Sequence, residues 1–175
     1  MNELEVYNGN EMPLSQDIEL RSIQQKILNN YELTISEKRR IGRDNPVQEI
    51  DGYKLKPDCV YRAVSKELYE RYLDLGFIYG DNENDEYEEN QNNKGVNWYL
   101  GGACPKYGEV ILECPAYKEY FIPTKDNGCG MACNPRVRHM KSSGYKKPVP
   151  ISLIKVIKHP DYKLEELIEI EFLKK

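Results

Sequence analysis

The sequence predicts an α+β fold, in which a mixed, mostly antiparallel sheet is joined to a helical N-terminal region. Two observations lead to this prediction. Apolar residues recur at helical spacing before Pro57, whereas short segments rich in β-branched and aromatic residues, bounded by Gly and Pro, follow it. We therefore expect a helical region over residues 1–58 that packs on a core over residues 59–175, within one domain.

Two helices are predicted in the N-terminal region, after a mobile lead-in at residues 1–13. Ser15 is a candidate N-cap for the first helix. The apolar stripe of that helix is formed by Leu20, Ile23, Ile27 and Leu28. Thr34 and Glu37 have the spacing of a capping box, so a second short helix is expected to run to Gly42.

The core is predicted to combine several strands with one further helix. Ser65 and Gly76 mark the two ends of this helix, as its N-cap and its C-terminal glycine. Strands are expected at residues 59–64, 77–79, 96–100, 108–114 and 137–140. Residues 149–158 and 164–173 are also apolar, but their periodicity fits a helix as well as a strand.

Charge is distributed unevenly along the chain, although the net charge is only −4. Residues 80–93 contain six acidic residues and no basic one. We expect this acidic loop to be disordered, because it has little apolar surface to bury. Residues 127–160 contain seven Lys or Arg and no acid. This basic segment suits contact with phosphate, but an ordinary solvated surface has the same composition.

Composition also bears on location and on metal binding. No apolar run is long enough to span a bilayer and the N-terminus lacks a secretory signal, so we expect a cytoplasmic protein without a membrane partner. The five cysteines are then expected to be free thiols. Cys129 and Cys133 have a spacing that zinc sites use, with Cys104, Cys114 or His139 to complete the set. Because a second cysteine pair is missing, we assign no metal, and a zinc-stabilised module is a weaker alternative.

Three segments of the chain, in this order, resemble the ADP-ribosyltransferase superfamily. The first is VYRAVS at residues 60–65, with the helix that follows and GFI at residues 76–78. The second is WYLGGA at residues 98–103, which leads through KYG into the next strand. The third is KPVPISLIKV at residues 147–156, a proline-led turn that returns to a final strand. Together the three segments cover residues 59–158.

This resemblance implies a domain that binds NAD, cleaves its nicotinamide bond and transfers ADP-ribose to a macromolecular target. It implies that Arg62 holds the phosphate and ribose of NAD and that Tyr99 stacks on nicotinamide. The family also uses a glutamate to stabilise a cationic transition state, and the segment before Val149 contains no acid. Glu109 and Glu113 are therefore the candidate catalytic residues, outside the position that the family uses. The alternative is a non-enzymatic module that binds protein or nucleic acid, and a carboxylate facing Arg62 would favour the enzyme.

Overall fold

The computed structural model describes residues 5–9, 14–41, 46–78, 95–123, 135–142 and 147–167, and its centre is a six-stranded antiparallel sheet. The strands in chain order are β1 (Glu49–Ile50), β2 (Tyr53–Lys54), β3 (Cys59–Val64), β4 (Phe77–Ile78), β5 (Val96–Leu100), β6 (Val110–Pro115), β7 (Phe121–Pro123), β8 (Arg138–Ser142), β9 (Val149–Pro150) and β10 (Lys155–Lys158). The order across the central sheet is β10-β6-β3-β5-β8-β7, and β1-β2 and β4-β9 form two small antiparallel pairs. The predicted α+β class is confirmed.

The two faces of the central sheet carry different partners, because successive side chains of a strand point to opposite sides. Val60 and Val64 of β3 lie in a buried cluster with Tyr72, which belongs to the helix that follows this strand. We call this side the helix face. Cys59 and Tyr61 lie in a second cluster, under the β1–β2 hairpin. We call that side the hairpin face.

The predicted helices are present as α1 (Ile18–Leu28), α2 (Ile35–Ile41) and α3 (Lys66–Leu75). Ser65 caps α3 and Gly76 ends it in the left-handed conformation, as predicted. The capping box of α2 is also confirmed, since Thr34 and Glu37 exchange hydrogen bonds of 2.9 and 3.1 Å.

The N-cap of the first helix differs from the prediction. The side chain of Asp17, and not that of Ser15, accepts a 3.0 Å hydrogen bond from the amide of Leu20. Ser15 lies two residues before the cap and its hydroxyl accepts from the amide of Asp17. The two candidate caps are close together, and the carboxylate is the one that reaches the first turn.

The region predicted as helical also contains the β1–β2 hairpin. Asp51 and Gly52 form its turn with φ values of 49° and 85°, and positive φ at both central residues is the requirement of a type I′ turn. Asp-Gly between Ile50 and Tyr53 is a hairpin signal that the prediction overlooked. Residues 5–9 are not a free lead-in either, since Tyr7 donates to the carbonyl of Ala116 and Gly9 to that of Pro57.

The two ambiguous C-terminal segments have mixed structures. Residues 149–158 contain β9, a 3-10 turn at Ile151–Leu153 and β10. The segment therefore combines a helical turn with strands, which explains why its apolar pattern fits both. Residues 164–167 begin a helix, and the rest of the tail and the acidic loop lie outside the described residues. Among the residues that are described, no helix combines the length and the hydropathy needed to cross a bilayer.

Candidate functional site

A row of polar and aromatic residues crosses five strands of the sheet on its hairpin face. Lys155 is the in-register partner of Glu113, Glu113 of Tyr61, Tyr61 of Tyr99, and Tyr99 of His139. The middle of this row is buried, and Glu113 is only 4% exposed. A carboxylate in such a position needs hydrogen-bond donors, because burial without them costs several kcal/mol.

Glu113 obtains these donors from two tyrosines. The hydroxyl of Tyr61 donates to Oε2 over 2.7 Å, and the hydroxyl of Tyr53 donates to the same oxygen over 2.8 Å. The ammonium of Lys56 lies 3.9 Å from Oε1. The backbone amide of Lys56 in turn donates to the Tyr61 hydroxyl over 2.7 Å. This carboxylate cluster therefore joins the hairpin and the turn after it to the central sheet.

Burial in and around the carboxylate cluster makes deprotonation of its neighbours unfavourable. Burial raises the pKa of Tyr61, and the hydrogen bond to the negative Glu113 raises it further. Burial also raises the pKa of the Cys59 thiol to about 12, with the charge of Glu113 as the next cause. Both groups stay protonated near neutral pH. The cluster is arranged to hold one charge, and neither Tyr61 nor Cys59 is activated as a base or a nucleophile.

Arg62 lies one residue further along β3 and therefore on the other side of the sheet. Its Nη1 donates to the carbonyl oxygen of Asn97 over 3.0 Å, and its Nη2 lies 3.4 Å from the Tyr72 hydroxyl. The β3–β5 ladder ends with the Tyr61–Tyr99 pair, so the guanidinium bonds to β5 just beyond the last ladder pair. Its Nε is buried and has no hydrogen-bond partner among the residues that the structure describes.

The four predicted site residues do not form one site. Arg62 is the in-register partner of Leu112, whereas Glu113 pairs with Tyr61, so the two side chains point to opposite faces of the sheet. Tyr99 shares the hairpin face with Glu113. Glu109 is exposed just before β6 begins. A carboxylate that faces Arg62 would favour an enzyme. Among the described residues, no carboxylate forms an ion pair with Arg62.

The predicted basic segment is largely engaged within the protein. Lys147 forms an ion pair with Glu119, and Lys158 forms one with Asp51. Lys155 lies over the Tyr53 ring, with its ammonium 5.6 Å from the ring centroid. These partners account for much of the charge that suggested phosphate contact. Lys141 on β8 differs from these three lysines in being buried.

The structure describes three of the five cysteines. Cys59, Cys104 and Cys114 are buried and lie outside any disulfide. Within the described ranges no group of three or more His, Cys, Asp or Glu could hold a metal ion. The pair Cys129 and Cys133, on which the zinc alternative depends, lies outside those ranges.

The prediction missed the partners of Glu113, although one of them had a signal. The Asp51-Gly52 turn places Tyr53 on a hairpin, and a hairpin beside the sheet could bring its hydroxyl to a strand residue. Tyr61 could be inferred only once β3 and β6 were known to pair in this register. Lys56 had no sequence signal, because its contacts depend on a turn of irregular structure.

Comparison with models of known families, with characterised proteins and with solved structures gives no match to this chain.

Proposed function

We propose that this chain is an ADP-ribosyltransferase-like domain that binds NAD, with Arg62 as the residue that holds its phosphates. The observation that carries the proposal is the buried Nε of Arg62 on a central strand of the sheet, a donor without an acceptor in the described part of the chain. Such a donor costs about 1–3 kcal/mol, and in a native structure it calls for an explanation. Binding of an anionic ligand by this guanidinium is one such explanation.

The charge of Arg62 supports the same proposal. The guanidinium donates to two neutral groups among the described residues, the Asn97 carbonyl and the Tyr72 hydroxyl. Phosphate oxygens match the planar fork of a guanidinium and form hydrogen bonds about twice as strong as neutral ones. A diphosphate is therefore a better partner for Arg62 than either of these groups. The order of the three resembling segments identifies NAD as the diphosphate to test.

The test is a calorimetric titration of NAD into the wild type, Arg62→Ala and Arg62→Lys. We expect Arg62→Ala to weaken NAD binding about ten- to a hundredfold, since a bond to a charged group contributes about 1.5–3 kcal/mol. Arg62→Lys keeps the positive charge and loses the planar fork of the guanidinium, so its NAD affinity should lie between those of the wild type and Arg62→Ala. Arg21→Ala is the matched control, because Arg21 is exposed on α1. An absence of NAD binding by the wild type would refute the proposal.

A second candidate function is binding without catalysis. The chain would then be a non-enzymatic relative that binds NAD or another partner and does not cleave NAD. It is favoured by the position of Glu113, which points away from Arg62 and is occupied by two tyrosine hydroxyls. A developing oxocarbenium ion needs a negative group held close to it. An assay of nicotinamide release from NAD separates the two candidates. Release that Arg62→Ala abolishes supports the transferase, whereas binding without release supports the inactive relative.

A further inference from the structure

Lys141 is a buried lysine without an acidic partner in the described part of the chain. Its side chain is on β8 and the residue is only 9% exposed. Burial is the one cause that lowers its pKa, and no neighbouring charge contributes. Lysines normally bury the aliphatic stem and keep the ammonium at an acid or in the solvent. This position therefore suits a group that meets an anion from outside the chain.

Three polar residues lie beside Lys141 on the hairpin face. Asn97 of β5 is its in-register partner, and the next pair on this face is Tyr99 with His139. The rings of Tyr99 and His139 are stacked, with centroids 5.6 Å apart and 25° between their planes. Tyr99 packs against Val137 in a small buried cluster, whereas His139 is half-buried. The array thus combines an ammonium with a flat aromatic surface.

We propose that Lys141, His139, Tyr99 and Asn97 form a second ligand site, for a small phosphate-bearing aromatic molecule of the mononucleotide class. Lys141 binds the phosphate, and the stacked pair of Tyr99 and His139 provides the aromatic surface for the base. Two residues apart on one strand, these side chains are separated by about 6.6 Å, which is within the span of one nucleotide. Asn97 supplies an amide that donates and accepts, as recognition of a base or a ribose requires.

This site does not depend on the proposed NAD site. Arg62 lies just beyond the last pair of the β3–β5 ladder and points to the helix face, whereas the side chains of the four residues lie on the hairpin face of β5 and β8. The link between the two sites is the hydrogen bond from Arg62 to the backbone carbonyl of Asn97. Because this bond does not involve the side chain of Lys141, loss of that side chain should leave binding at the NAD site unchanged. That independence is what the experiment measures.

The experiment is a titration of AMP into the wild type and its variants at low salt, followed by NMR chemical shifts and calorimetry. We expect Lys141→Gln to weaken AMP binding about tenfold or more, as the loss of a charge-assisted bond requires. Lys54→Gln is the matched control, because Lys54 is exposed on β2 and loses the same charge. Lys141→Gln should leave NAD affinity within about twofold, because the side chains of Lys141 and Arg62 lie on opposite faces of the sheet. Equal AMP affinity in the wild type and Lys141→Gln, or no AMP binding at all, would overturn the proposal.

Two further arms resolve the roles and the source of the ligand. Adenosine and inorganic phosphate should each bind more weakly than AMP, and His139→Ala should reduce AMP affinity even if Lys141→Gln folds poorly.

A short 5′-phosphorylated single strand carries the same chemistry at its end, and its dephosphorylated counterpart is the control. Tighter binding of the phosphorylated strand than of AMP identifies a nucleic-acid end as the source, and the reverse identifies a free nucleotide. Adenosine binding as tightly as AMP would contradict the role given to Lys141.

Discussion

The hydroxyl of Tyr61 lies 2.7 Å from Glu113 on the neighbouring strand and is also 2.7 Å from the backbone amide of Lys56. It accepts from the amide and donates to the carboxylate, so one phenol joins β3, β6 and the turn that follows the hairpin. Tyr53 reaches the same carboxylate oxygen from β2. The buried charge of Glu113 and the hairpin therefore stabilise each other.

Replacing Tyr61 by Phe should destabilise the protein substantially. The change leaves the Lys56 amide and one Glu113 bond without a partner inside the sheet, and each such loss costs about 1–3 kcal/mol. Urea unfolding of wild type and Tyr61→Phe measures the difference in free energy of unfolding. Tyr31→Phe is the control, since Tyr31 is 68% exposed and should change stability by less than about 0.5 kcal/mol. Equal midpoints for wild type and Tyr61→Phe would contradict the role given to this hydroxyl.

The same cluster should make the protein lose stability at alkaline pH. The pKa of Cys59 rises from 9.0 to about 12, and that of Tyr61 rises from 10.0, in both cases mainly through burial. Above pH 9 the unfolded chain releases these protons while the folded chain keeps them, so the free energy of unfolding falls as pH rises. Urea unfolding between pH 7 and pH 11 should show this fall, with a shallower slope for Tyr61→Phe. Equal slopes for wild type and Tyr61→Phe above pH 9 would contradict the burial of the Tyr61 hydroxyl, because Lys141 contributes equally to both proteins.

Much of the sheet could be predicted because its strands are short, β-rich segments between Gly and Pro. Residues 59–64 and 96–100 match β3 and β5 at both ends, and Ser65 and Gly76 mark the ends of α3 as their cap preferences predict. The hairpin was missed because its strands have two residues each, too few for periodicity to appear. Only the Asp51-Gly52 turn carried the information.

The sites were harder to predict because they depend on register. Glu113 was identified as a candidate acid, but which residue it meets is decided by the pairing of β6 with β3. A shift of one residue would have placed it on the side of Arg62. In the sequence, Lys141 is only one charge of a basic segment, since a sequence does not reveal which lysine of a run is buried.

Gly108 is required by a close approach of two backbones. A Cβ at this position would lie 2.2 Å from the carbonyl carbon of Val64 and 2.3 Å from its oxygen, at the end of β3. Because the obstacle is backbone, the strand itself would have to move, and Gly108→Ala should cost more than about 2 kcal/mol. Gly76→Ala is the comparison, because its φ is +80° but the space is open, and we expect about 1 kcal/mol there. Calorimetric melts that rank Gly76→Ala as the more damaging would refute this reading.

Glu37 should stabilise the two N-terminal helices in a pH-dependent way. Its pKa falls from 4.5 to about 2, chiefly through the hydrogen bond from Lys26 and then through that from the Thr34 amide. The contribution to stability is therefore present above pH 4.5 and is lost as pH falls through about 2. The difference in Tm between wild type and Glu37→Gln should be largest above pH 5 and disappear near pH 2. Glu32→Gln, an exposed neighbour, should show no such trend.

Lys141→Met should stabilise the protein, in contrast to most substitutions of buried residues. Met retains the length and the apolar stem of lysine and removes an ammonium that has no acidic partner in the described residues. A gain of about 0.5–2 kcal/mol is expected, as for other sites where function is kept at a cost in stability. The gain should also depend on pH. Because burial lowers the pKa of Lys141, the folded protein releases this proton before the unfolded chain does, so the destabilising contribution of Lys141 decreases as pH rises to about 10.5.

The difference in free energy of unfolding between wild type and Lys141→Met should therefore decrease as pH rises from 7 towards 10.5. Urea unfolding of both proteins at several pH values measures it, and the alkaline loss from Cys59 and Tyr61 cancels because both proteins share those groups. Lys54→Met is the control, with an exposed lysine whose removal should change little at any pH. A lower stability of Lys141→Met at neutral pH would mean that the ammonium has a stabilising partner within the chain, and the second ligand site would lose its physical basis.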